Sequence, residues 1–141
     1  MADDILLILH FVGLALGFAG GIASGLSMRL ARAAEPEGAA ALRQIPPIAA
    51  KISAAGLVLL WLTGVILVFT RWNGFGALPV LFWVKFAFVL ALTALVGVVE
   101  ATHARLKRTG DAALRGRLAK LGPLSGLAAL GALIFAVLAF H

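Results

Sequence analysis

His10 and Lys85 are the side chains of this sequence with the most chemistry to offer. Each is an ionisable group inside a long apolar run, "ILLILHFVGLALGFAGG" around the histidine and "FWVKFAFVLAL" around the lysine. A neutral imidazole ligates metals and relays protons, and an ammonium neutralises an anion. A charged group at the centre of a membrane helix costs about 3 kcal/mol on insertion scales, so such groups face a bundle interior or a wet cavity and mark function.

The runs holding them are long enough to cross a bilayer, which takes about 20 mainly apolar residues. Spans are expected near residues 5–28, 48–70, 79–102 and 118–140. The composition agrees, with 62% apolar residues and only 13% charged. The fold class this predicts is all-α, a single four-span integral membrane bundle over residues 1–141. The first span is longer than a signal-peptide core and follows an acidic "MADD", so it is expected to be retained.

Charge sets the orientation. Arg29, Arg32, Arg43 and Lys51 lie in or beside the first connection. Arg105, Lys107, Arg108, Arg115, Arg117 and Lys120 lie in the third, whereas the second holds only Arg71. Positive charge marks the cytoplasmic side, so both termini are expected on the non-cytoplasmic side. The net charge of +6 is then a topology signal, and no nucleic-acid partner is expected. Trp72, Phe75 and Trp83 gather at the outer interface, where amphipathic rings reside. In the third connection, Leu114, Leu118 and Leu121 share one face. An amphipathic turn at the headgroups is expected there, with Asp111 as its N-cap and Pro123 as a kink beyond it.

His10 and Lys85 each lie five or six residues inside the outer ends of their spans, about 8–9 Å deep at the helical rise. Two ionisable groups from different helices therefore share one layer. At about 100° per residue, Gly17, Gly21, Ser24 and Met28 fall near His10's direction, with Gly13 just beyond. Such a bare face serves either close helix packing or a slot for a flat cofactor. In the third span Lys85, Leu92, Val96 and His103 share a stripe. Glu100 and His103 make an i, i+3 pair near the basic boundary. That pair reads as a solvated interfacial contact or as the edge of a second site.

The chain has no cysteine and no tyrosine, which removes thiolate ligands, disulfides and tyrosyl relays. His10 is then the candidate metal ligand, with haem iron the sharper reading, since neutral imidazole is its usual ligand. Hydrogen bonding to a backbone carbonyl is its plainer alternative. His141 is a candidate second axial ligand. Lys85, as a candidate catalytic and cofactor-binding residue, would pair with a haem propionate; its alternative is to snorkel toward the outer headgroups. Gly17 and Gly21 are the candidate cofactor-contacting glycines.

The "LH…G" opening of the first span, the four-span layout and Trp83 with Lys85 ahead of the basic exit "ARLKR" resemble the HemJ and CopD-like group of small bacterial membrane proteins. The resemblance implies a four-helix protein of the bacterial inner membrane that binds haem b, with His10 as ligand and Lys85 as functional lysine. One branch of that group is the protoporphyrinogen oxidase of haem synthesis. This chain departs from that branch. The first span exits on Arg29 and Arg32 rather than on a longer arginine run, and the third span carries Thr93 where an aromatic or histidine is usual. The competing expectation is a non-enzymatic accessory or assembly subunit. Its glycine face would dock another membrane subunit or a second copy, with membrane lipid the remaining partner.

Overall fold

The computed structural model describes residues 1–140, except the side chains of Ala77, Ala139 and Phe140. His141, the candidate second ligand, lies outside the described residues. The elements are α1 (Ala2–Ala33), α2 (Pro36–Leu42), α3 (Ile45–Trp72), a single 3₁₀ turn (Phe75–Ala77), α4 (Val80–Thr109) and α5 (Ala112–Phe140). No strand occurs among the described residues. Four helices are long and apolar enough to cross a membrane. The protein is an all-α four-helix membrane bundle, and each helix overruns its predicted span at one or both ends.

Local chemistry explains the boundaries. Pro46 and Pro47 sit in the first turn of α3, where a missing N–H costs nothing. The chain leaves α3 through Asn73 at φ 52° and Gly74 at φ 107°. It leaves α4 through Gly110 at φ 65°, whose N–H returns to the Leu106 carbonyl at 2.8 Å. Asp111 caps α5, its Oδ1 accepting the Ala113 N–H at 3.0 Å. The basic amphipathic segment is therefore the opening of α5 and not a separate surface turn. Pro123 lies within that same continuous helix.

The bundle is built from two tight antiparallel pairs. Gly13, Gly20 and Ser27 recur every seven residues on α1, and Ala49, Gly56 and Thr63 do so on α3; all are buried. A seven-residue repeat of small side chains keeps one seam facing the partner and lets backbones approach. A Cβ on Gly13 would stand 2.8 Å from the Gly56 carbonyl oxygen, and one on Gly20 would collide with the Ser53 hydroxyl. The Ser53 hydroxyl donates to the Gly17 carbonyl at 3.2 Å across the same seam. In the second pair, the Phe88 ring of α4 fills the notch at Gly131 of α5 and stacks on Phe135 at 5.4 Å.

The pairs meet more thinly, through α3 with α4 and α1 with α5. Leu57, Leu92, Ala128 and Ala129 form the shared core. The Trp61 Nε1–H donates to the Thr93 hydroxyl at 3.0 Å, tying α3 to α4. At the end that carries the termini, Phe69, Phe75, Trp83, Phe86 and Trp61 form a chain of ring contacts with centroids 5.6–6.4 Å apart. This chain of rings starts at the expected interfacial residues Phe75 and Trp83 and runs inward through Phe86 to Trp61. The opposite end carries most of the arginines and lysines.

Candidate functional site

The half-buried His10 packs against α3 at a place shaped for it. A Cβ on residue 64 would lie 3.3 Å from His10 Cε1, so Gly64 supplies the space for the ring. The Thr63 hydroxyl donates its single proton to the Leu59 carbonyl at 2.6 Å. Its oxygen is then an acceptor, and it lies 2.9 Å from His10 Nδ1. In that arrangement Nδ1 donates and Nε2 keeps the lone pair, and the Leu60 backbone also hydrogen-bonds the ring, as the plainer expectation for this histidine has it. Metal-bound histidines are oriented in this way, with the second ring nitrogen donating to a fixed acceptor.

Lys85 extends the stripe that runs through Leu92 and Val96 toward His103. Its Nζ lies 5.9 Å from the Phe82 ring centroid, one turn nearer the terminal end. A helical side chain leans toward its own N-terminus, so the ammonium rises toward that interface while its stem stays half-buried. The ammonium is close enough to His10 for the two groups to interact electrostatically. The two helices that carry them, α1 and α4, stand at opposite corners of the bundle.

A slot of about 860 Å³ runs between the two helix pairs, within the size range of ligand pockets. On α1 its wall extends from Leu14 to Arg32, about 27 Å at the helical rise. Gly17, Gly21 and Gly25 of α1 and Gly122 and Gly126 of α5 line it, and a Cβ on any of them would meet nothing within 4 Å. The bare face of α1 is divided: Gly13 packs on α3, as Gly20 does beside it, and Gly17 and Gly21 wall the slot. His10 and Lys85 do not line it. Leu14 and Leu60 close its terminal end, one turn from His10 and Thr63 respectively.

The basic end of the slot holds Met28, Arg29, Arg32 and His103. A smaller chamber of about 280 Å³ adjoins it, lined also by Arg43 and Arg115. Glu100 and His103 are half-buried here and not a solvated pair: Glu100 Oε1 and His103 Nδ1 are buried without hydrogen-bond partners. No group of three metal-ligating His, Cys, Asp or Glu side chains forms among the described residues.

The residues that sequence reasoning missed are Thr63, Gly64 and Gly20. Thr63 is a hydroxyl buried within an apolar run, and that was its available signal. No family model, curated protein or solved structure matches the chain.

Proposed function

We propose that this is a haem b-binding protein of the bacterial inner membrane with a redox role, of the electron-transfer or protoporphyrinogen-oxidation type. The observation that carries the reading is the contact of His10 Nδ1 with the Thr63 hydroxyl, beside the space left by Gly64. With Nδ1 donating to Thr63, Nε2 would be the nitrogen that ligates iron.

His10 supplies the neutral imidazole nitrogen that haem iron takes. The slot walled by Gly17 and Gly21 ends one turn from it at Leu14 and Leu60, so haem would have to displace these leucines to reach the imidazole. Lys85, near His10, would pair with a propionate. Bound haem would supply one-electron chemistry. The chain's own part is to orient the imidazole through Thr63, to hold a positive charge nearby through Lys85, and to exclude water with the Leu14, Leu60 and Leu92 side chains. Protein purified from haem-replete cells should show a Soret band that is absent in His10→Ala. A colourless wild-type protein rules the reading out.

The competing reading is an accessory subunit that docks a partner through α1. Of the glycine face it would use, Gly13 is engaged by α3, while Gly17 and Gly21 remain open, so Gly17→Leu and Gly21→Leu should release the partner where His10→Ala does not.

A further inference from the structure

The basic half of the slot has a chemistry that the His10 reading leaves unused. Ile22 and Leu26 of α1 and Leu127 and Leu130 of α5 line the slot and are at the same time exposed. The seam between α1 and α5 is therefore where the slot meets the bilayer. Inside, the wall is mostly aliphatic or glycine, with Phe18 and the hydroxyls of Ser24, Ser53 and Ser125 among them. At its basic end Arg29 and Arg32 present two guanidiniums, with Arg43 and Arg115 in the adjoining chamber. His103 lines both spaces with an unpartnered Nδ1. Glu100 is the carboxylate nearest in sequence, one turn from His103, and lines neither space.

An apolar channel that opens sideways to lipid and ends in guanidiniums matches one kind of molecule. We propose that the basic half of the slot binds an anionic phospholipid of the adjoining leaflet, one acyl chain lying between α1 and α5 and the phosphate held by Arg29 and Arg32. The dimensions agree. The basic half of the slot takes up about half of its roughly 27 Å run along α1, close to the roughly 15 Å of one hydrocarbon leaflet. Guanidinium pairs with phosphate through parallel N–H donors, so two arginines at one depth favour an anionic head over a zwitterionic one. Gly21, Gly25, Gly122 and Gly126 leave the width for the chain.

The test is native mass spectrometry of the full-length protein, extracted after equilibration with vesicles of equal phosphatidylglycerol and phosphatidylcholine. Wild type should retain phosphatidylglycerol at one copy per chain. Gly21→Leu combined with Gly126→Leu fills the channel and should cut retention about tenfold. Arg29→Gln with Arg32→Gln changes only exposed side chains, so it keeps the test valid if the leucine pair does not fold. It should move the two lipids toward parity, a loss of about tenfold in preference. Equal retention of both lipids by wild type would overturn the proposal, since that describes annular lipid only. Retention of a free fatty acid or of haem in place of phospholipid would overturn it too. His10→Ala should keep the lipid at wild-type level, so failure of the haem reading is distinguishable from failure of this one.

Discussion

The Nδ1 atom of His10 and the Oγ1 atom of Thr63 lie 2.9 Å apart, on helices that pack through glycine. The same hydroxyl lies 2.6 Å from the Leu59 carbonyl, so it bridges the imidazole of α1 to the backbone of α3. The relationship depends on the α1–α3 seam, because only a close backbone approach brings a short threonine side chain to the ring.

Thr63→Val keeps the shape and removes the acceptor. Haem affinity should fall about 10–100-fold, the usual loss when the partner of a metal-bound histidine is removed. Thr63→Ser should restore most of it. A haem titration followed by absorbance measures both. Equal affinity in all three proteins would show that Thr63 does not orient the ring.

Gly20 and Gly21 are neighbours in sequence with opposite environments. Gly20→Ala forces a methyl into the Ser53 hydroxyl and should destabilise the fold by about 1–3 kcal/mol. Gly21→Ala points into open slot and should leave stability near wild type. Reversible unfolding in mixed micelles tests the contrast. Equal losses would mean that the two glycines share one environment.

Much of this was legible in the residues, and the reasons differ by feature. The four spans follow from length and hydropathy, which the bilayer dictates directly. The Asp111 cap and the Pro46–Pro47 start follow from local backbone chemistry. The division of labour between Gly17 and Gly20 was not legible. A helical wheel gives directions relative to His10 but not the side from which α3 approaches. The slot was hidden for the same reason, since it arises from a thin contact between two pairs and not from any one helix. Thr63 escaped notice because its role exists only once α1 and α3 are in register.

Lys85→Met removes a positive charge near His10, the proposed iron ligand. A nearby cation favours the reduced state, which carries less positive charge, so the midpoint potential of bound haem should fall in this variant. Lys85→Arg should hold it close to wild type. Spectroelectrochemical titration gives the answer. An unchanged potential together with unchanged haem affinity would leave the lysine as a snorkelling side chain over Phe82.

Leu14 stands at the slot's terminal end, one turn from His10 on the same helix. Leu14→Ala should widen the passage between slot and imidazole and speed haem association, read by stopped-flow absorbance. Slower or unchanged association would indicate that haem reaches His10 by another path.

The most direct test of the central claim is chemical rescue of the ligand. His10→Gly protein, mixed with haem in detergent, should lack the wild-type Soret and reduced-state bands, and millimolar imidazole, about 1–10 mM given the weak affinity of so small a ligand, should restore them. A His10→Gly protein that binds haem with the wild-type spectrum before imidazole is added would contradict ligation by His10.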